Sequence, residues 1–320
     1  MTPPKQPKLT VVILVQSDSW MIRHALRKLR EQTIATEIEV IAVAPAGFDG
    51  ECIDEQMQGL WGFTLLKTET FDDCGRAKEA GVRAASAGLI AFVEDHSYPE
   101  AHCMEAYVRA VEEGQLAAAG PVMRNANPDR GASWACFLAF YGEWMTVSPT
   151  RGTTHLPANQ SCYKREVMLA FGDRLSPLLQ AESVLQWELQ SKGLRVRQAP
   201  EAFVYHLNNS RLGHTLREYF FAARLFAARR SESWSGVHRL GYALGMALLP
   251  LVRWVRIAHI APATALRVTI SLLAVLGAGA AGEMLGYLGG AGDAARRLAN
   301  LEARRDERYD FHDEAAVEAL

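Results

Sequence analysis

Several things are scarce in this 320-residue chain. There are five cysteines, Cys52, Cys74, Cys103, Cys136 and Cys162, and no Cys-x-x-Cys pair among them. An odd, scattered set suits a reducing compartment better than a disulfide framework. Net charge is nearly absent, at -2, so nothing draws the whole chain to a polyanion and a nucleic-acid partner is not expected. The start, Met1 to Lys8, is polar and Pro-rich, and the apolar run after it lacks a small-residue cleavage site, so no secretory signal is expected. No clean run of about twenty uncharged apolar residues occurs, and no fixed-period repeat is visible. With 49% hydrophobic and 22% charged residues the chain is neither disordered nor fibrous, and its length allows one large domain or two modest ones.

What is present begins with alternation. Leu9 to Val15 is a continuous β-branched run, as in a strand buried on both faces, and it opens into the polar turn Gln16-Ser17-Asp18-Ser19. Ile22, Leu26 and Leu29 then recur at helical spacing, and Ile38 to Ala44 reads as a second buried strand. Phe63 to Lys67, the Ala-rich stretch Gly75 to Ala87 and the apolar Leu89 to Val93 continue the pattern. Pro99 is placed to start a helix that Gly114 stops, before a strand over Leu116 to Val122. This alternation predicts a mostly parallel sheet covered by helices. Beyond it, Asn125 to Gly131 is turn-rich and Trp134 to Met145 is aromatic and helical. Ser183 to Lys192 reads as a helix, followed by short strands at Arg195 to Gln198 and Ala202 to Tyr205.

The C-terminal third differs in composition. From Arg211 to Arg267 arginines outnumber acids, and the same stretch carries the longest apolar runs, Leu240 to Leu251 and Val268 to Ala281. Arginine beside apolar surface predicts contact with an anionic membrane. Two tilted spans or two helices lying in the interface both satisfy the pattern; a soluble packed hairpin is the alternative. Either membrane arrangement leaves the charged tail from Asp293, helical and then frayed, on the side where the chain started, which the arginines make the cytoplasmic face.

The segment with most chemistry in it is Glu94-Asp95-His96, at the carboxyl end of a buried strand, where open α/β sheets bind ligands. Residues two apart on a strand point the same way, so Glu94 and His96 can approach one divalent cation while Asp95 turns elsewhere, toward a ribose. An exposed polar turn is the plainer explanation.

Gly75, Arg76, Ala77 and Gly81, followed by a buried strand and then Glu94-Asp95-His96 in the place of Asp-x-Asp, resemble the core of family 2 glycosyltransferases with the GT-A fold. LPANQSCYKREVM at Leu156 to Met168 and QAESVLQWELQSKGLRVRQAPEAFVYH at Gln180 to His206 extend the resemblance, which covers Leu9 to Arg230. It implies an α/β GT-A (nucleotide-diphospho-sugar transferase) Rossmann-like, mostly parallel sheet over 1–230. Behind it come an apolar helical membrane-associated region over 231–292 and a charged tail over 293–320. It implies inverting transfer from a nucleotide-sugar donor to a hydroxyl of a glycan or lipid-linked acceptor. A divalent metal, Mg or Mn, would sit on Glu94, His96 and His206; the donor would meet Ser17, Gly75, Arg76, Asp95 and Arg224. Glu182 would be the general base, although its position at a helix start also suits plain charge–dipole attraction. Asn159 and Trp144 fall on the acceptor side, where an aromatic cluster can equally be core. Gln16 to Ser19 and Ala44 to Gly47 replace the family's nucleoside-gripping turns, so the base is not implied. A catalytically inactive GT-A-like scaffold and, more remotely, a metal-dependent hydrolase on Glu94, His96 and His206 are the competing classes; a homo-oligomer is left open.

Overall fold

The computed structural model describes residues 6–15, 19–48, 58–69, 73–147, 155–304, 308–309 and 311–320. The chain forms two compact units, Met1–Arg124 with Val147–Tyr205, and Asn125–Thr146 with His206–Leu320.

The first unit is built on a sheet of eight strands. They are β1 (Leu9–Leu14), β2 (Ile38–Pro45), β3 (Gly62–Thr68), β4 (Leu89–Glu94), β5 (Ser97–Pro99), β6 (Ala118–Asn125), β7 (Cys162–Lys164) and β8 (Val196–His206), in the order β3-β2-β1-β4-β7-β6-β8-β5. The apolar runs seen in the sequence form its centre. β1 lies parallel to both β2 and β4, with Val12 opposite Ile41 on one side and Phe92 on the other. Such strands are covered on both faces, which is why they read as continuous rather than alternating hydrophobicity. The short β7 runs antiparallel to β4 and to β6, so the sheet is mixed where the parallel order breaks.

Helices α1 (Trp20–Arg30), α2 (Cys74–Ala84), α3 (Cys103–Glu113), α5 (Arg165–Leu169), α6 (Leu175–Leu179) and α7 (Glu182–Ser191) belong to this unit; α4 (Gly131–Tyr141) belongs to the other. α2 begins at a cap the sequence pattern did not single out: the Asp73 carboxylate accepts from the backbone N–H groups of Gly75 and Arg76, at 2.9 and 3.2 Å. Two expectations need correction. Pro99 does not start a helix; it ends β5, and α3 begins at Cys103. The two short strands expected near residues 195–205 are one strand, β8, whose exposed Pro200 made it look broken.

The second unit is helical. Besides α4 it contains α8 (Leu212–Arg230), α9 (Gly236–Gly245), α10 (Leu249–Ile260), α11 (Pro262–Arg267), α12 (Thr269–Gly289), α13 (Ala294–Ala303) and α14 (Phe311–Glu318). It takes in α8, which the sequence reading placed with the sheet. α12 is long and apolar enough to cross a membrane; α9 and α10 satisfy the same measure only as a pair, bent by 57°. α12 lies backbone to backbone on α8. A Cβ at Gly282 would overlap the carbonyl oxygen of Phe220, and one at Gly286 that of Arg224, so only glycine admits the approach. Ala227, Ala243, Met246, Ala280 and Tyr287 form the core there. The tail does not simply fray: Arg308 and Asp313 are both buried.

Candidate metal and donor site

β4 ends at Glu94 and the chain turns through Asp95 and His96 before β5, while β8 ends at His206. These strand ends bring one carboxylate and two imidazoles together: the ligand atoms of Glu94, His96 and His206 all lie within 4.8 Å of one another, with His96 Nε2 3.7 Å from Glu94 Oε2. Both histidines are buried.

Each of the three is oriented by a neighbour. His96 Nδ1 is 2.7 Å from Asp95 Oδ1, and a carboxylate can only accept, so the proton sits on Nδ1 and Nε2 is the basic nitrogen. His206 Nδ1 is 3.0 Å from Asn208 Oδ1. The Asn208 amide is itself fixed, because its Nδ2 donates to Asn125 Oδ1 at 2.9 Å and to the His206 carbonyl at 2.7 Å, so His206 too is held with Nε2 basic. The Glu94 carboxylate accepts from Asn159 Nδ2 at 2.8 Å and from Gln160 Nε2 at 2.6 Å. Partners of this kind on the far side of a ligand fix its tautomer and direction. One oxygen and two imidazole nitrogens suit a first-row transition-metal cation, among which Mn²⁺ tolerates mixed oxygen and nitrogen ligands, better than Mg²⁺, which prefers all-oxygen shells. Tyr141, with its ring centroid 4.5 Å from that of His206, and then Trp144, 6.4 Å further on, extend an aromatic surface from His206.

The remaining expected residues fall elsewhere. Ser17 lies outside the described residues. Asp95 faces His96 rather than open space. Gly75 is explained by packing: a Cβ there would overlap the Ser176 carbonyl oxygen, just as one at Gly81 would press on Val12 of β1 at 2.5 Å. Arg76 stands largely in solvent, 3.6 Å from Asp73. Arg224 is not placed as a phosphate clamp. Its Nε donates to the Gly290 carbonyl at 3.0 Å, satisfying an acceptor at the end of α12.

Glu182 and Asn159 are joined in one hydrogen-bonded network with Lys78. Glu182 is 2% exposed and both of its oxygens are engaged. Oε1 accepts from Lys78 Nζ at 2.8 Å and from the Asn159 N–H at 2.9 Å, while Oε2 accepts from Tyr163 O–H at 2.9 Å. These contacts take three of the carboxylate's roughly four acceptor sites and hold Glu182 as one end of a buried ion pair. Asn159 adopts a left-handed backbone at φ 63°, which asparagine tolerates better than most residues. Its Oδ1 accepts from Lys78 and its Nδ2 reaches Glu94, so it links the Lys78–Glu182 pair to the candidate ligand rather than facing an acceptor. Burial works against the Lys78 ammonium, yet Glu182, Cys74 and Glu94 more than offset it and its pKa stands above the ordinary lysine value. The signal for Lys78 was in the sequence: it lies on the apolar face of α2 with Ala77, Gly81 and Val82.

No protein-family model matches the chain, and no curated protein matches its sequence. Solved structures do match in fold. The mannosyltransferase PcManGT from Pyrobaculum calidifontis, in complex with GDP-Man and Mn²⁺, aligns over 99% of this chain and 86% of its own, with 17% identity and a TM-score of 0.52. S. aureus TarS 1-349 aligns over 94% and 92%, with 16% identity and a TM-score of 0.50. The chain spans 43% of the GalNAc-T7 chain, in a complex with UDP, GalNAc and Mn²⁺, at 13% identity, 62% coverage of this chain and a TM-score of 0.48. It spans 55% of a longer TarS chain. At these identities the likeness is one of fold: the chain has a GT-A-like, mostly parallel sheet with a C-terminal apolar helix, and it carries a Glu/His/His candidate metal cluster at the sheet's strand ends.

Proposed function

We propose that the protein is a metal-dependent inverting glycosyltransferase that takes a sugar from a nucleotide diphosphate and passes it to a hydroxyl of a membrane-linked glycan or lipid at the cytoplasmic face. The observation that carries this reading is the convergence of Glu94, His96 and His206, with fixed tautomers, at strand ends of a GT-A sheet. PcManGT, which shares that fold, was seen with a nucleotide sugar and Mn²⁺. A divalent cation bound there would neutralise the diphosphate as it leaves. The chain's own part is to hold that position: Asn159 and Gln160 orient Glu94, Asp95 and Asn208 orient the two imidazoles, and the half-buried Trp144, packed on the buried Tyr141, offers a ring of the kind sugars stack on. The test is calorimetric titration of the full chain with UDP- and GDP-sugars, with and without Mn²⁺, alongside donor hydrolysis. Metal-dependent binding, lost in Glu94→Gln and in His206→Ala, is expected. Binding that ignores both metal and variants would overturn the assignment.

A second reading rests on one specific observation. Glu182 is consumed by structural contacts, as an inactive GT-A-like binding protein would allow. Such a protein would bind donor with metal and neither hydrolyse nor transfer it.

A further inference from the structure

The helical unit exposes its apolar residues to an unusual degree. On α9, Val237, Leu240 and Leu244 recur at i, i+3 and i+7 and so share one face; Val237 is 84% exposed and Leu244 70%. Leu248, Leu251 and Val255 repeat the spacing along α10, and Ile270 at the start of α12 is 87% exposed. The opposite sides, at Ala243, Met246 and Ile257, are buried. Helices with apolar residues on both sides are not at equilibrium with water on the outer one. Chemistry on the same stretch says what covers it. From Gly236 to Gly282 there is no Asp or Glu, whereas Arg239, Arg253, Arg256 and Arg267 all lie within it, and Arg256 and Arg267 are exposed.

We infer that α9 and α10 lie flat in the headgroup layer of an anionic bilayer, inserting Leu244, Leu248 and Leu251, and that α12 does not cross the membrane. This deepens the membrane association of the proposed function but rests on surface residues outside the candidate site. The argument against crossing is steric. The glycines at 282 and 286 seat the α8 backbone directly on α12, and α8 carries Arg217, Glu218, Arg224, Arg229 and Arg230. A spanning α12 would draw those charges toward hydrocarbon, where each is strongly disfavoured. In-plane binding asks nothing of that pair and uses the surface that is bare. The 57° bend between α9 and α10, at a break followed by Pro250, lets two short helices follow the surface in turn.

Flotation of the full chain with vesicles of phosphatidylcholine alone or with about one-third phosphatidylglycerol tests this. Binding to the anionic vesicles is expected, weakened by salt and released by alkaline carbonate. Leu244→Glu with Leu248→Glu should lower partitioning by at least about tenfold, and Arg256→Gln by about fivefold on anionic vesicles only, with the candidate site's Mn²⁺ affinity unchanged. Retention in the membrane after carbonate would overturn the in-plane arrangement. A self-associating protein indifferent to vesicles would show the face to be an interface between copies, and a monomer indifferent to vesicles would overturn the proposal outright. None of these results depends on whether the candidate site transfers sugar.

A second inference comes from the tail. Three tail residues grip the segment immediately after His206. Asp313 accepts from Ser210 Oγ at 2.6 Å and from Asn127 Nδ2 at 2.9 Å; Arg308 donates to Asn209 Oδ1 at 3.2 Å and pairs with Glu218 at 3.0 Å; Tyr309 O–H donates to the Leu207 carbonyl at 3.3 Å. Asn127 Oδ1 in turn accepts from the Asn208 N–H at 3.0 Å, and Asn208 orients the His206 ring. We propose that Asp313 is a positioning residue for His206, an inference that rests on His206 being a metal ligand. In the full chain Asp313→Ala should weaken Mn²⁺ binding by about tenfold without a matching fall in melting temperature, and Asp313→Asn, which keeps an acceptor oxygen, should restore most of it. Unchanged Mn²⁺ affinity in Asp313→Ala, or a loss that only tracks unfolding, would overturn the positioning role. Wild-type protein that binds no Mn²⁺ would instead sink the metal-site reading on which it stands.

Discussion

Glu182 distinguishes a catalytic from a structural carboxylate by one substitution. Its side chain is fully buried and faces Lys78, itself 5% exposed, at 2.8 Å. Among the described residues Glu182 is the one carboxylate bonded to that ammonium, and Glu182→Gln leaves the ammonium with the neutral acceptors Asn159 Oδ1 and the Leu179 carbonyl. Removing one member of a buried ion pair costs about 3–5 kcal/mol, because the survivor's desolvation is no longer compensated. At roughly 2 °C per kcal/mol for a chain of this length, the melting temperature should fall by roughly 6–10 °C. Pairing Glu182→Leu with Lys78→Met removes both charges and should recover most of the loss, since apolar replacement of a whole pair is often close to neutral. Thermal denaturation of the three proteins, read beside donor hydrolysis at a temperature where all are folded, checks this. If Glu182→Gln melts with the wild type and yet abolishes transfer, the structural reading is wrong and the carboxylate is the base.

The same pair sets an alkaline limit. Lys78 has a pKa raised above that of the unfolded chain, so its contribution is whole below about pH 10.4 and declines as pH rises through the folded value. Tyr163, kept neutral chiefly by burial and then by Glu182, acts in the same direction, so urea midpoints should drop as pH rises above about 10, and less so in the double variant. His24 works at the other end: burial first, then Arg27, lowers its pKa to about 4, so the unfolded chain takes up a proton that the folded chain refuses. Stability should therefore fall from about pH 6.5 down to that value, and His24→Phe should flatten this part of the profile. Gly282→Leu, aimed at the Phe220 carbonyl, should cost at least about 1–3 kcal/mol, whereas Gly277→Ala, which meets nothing within 4 Å, should stabilise α12 by up to about 1 kcal/mol; chemical denaturation of both compares them. At the candidate metal site, Mn²⁺ should support donor binding better than Mg²⁺, and His96→Asp should narrow the difference.

The sheet's centre was legible because β1, β2 and β4 are buried on both faces and carry apolar runs interrupted only by Thr10 and Glu39, which hydrogen-bond to each other. β5 was not, because three residues, Ser97–Pro99, are too few for a period to show. Glu94 and His96 could be paired from their closeness at a strand end, although His96 lies in the turn after β4 rather than on the strand, and His206 from its place at the end of another. Lys78, Asn159 and Glu182 could not be connected, since Lys78 is 81 and 104 residues from its two side-chain partners and no local pattern encodes such a contact. Arg224 shows a different limit: a helical arginine reads alike whether it faces a phosphate or a carbonyl, and only the close approach of α8 to α12 decides between them.

Glu94-Asp95-His96 stands where the resemblance to GT-A enzymes places Asp-x-Asp, and the difference has a physical meaning. Two aspartates offer a cation oxygen alone, which Mg²⁺ and Mn²⁺ both accept. Here the third position supplies an imidazole, and the middle aspartate is bonded to that ring at 2.7 Å rather than presented to the donor. The aspartate fixes the tautomer and direction of the ring, as carboxylate partners do behind metal-binding imidazoles. His206, fixed in the same tautomer by Asn208, repeats the device with an amide in place of the carboxylate. An imidazole at the third position would bear on the choice of cation, and Asp95, which spacing alone had assigned to the donor, is the side chain that orients it.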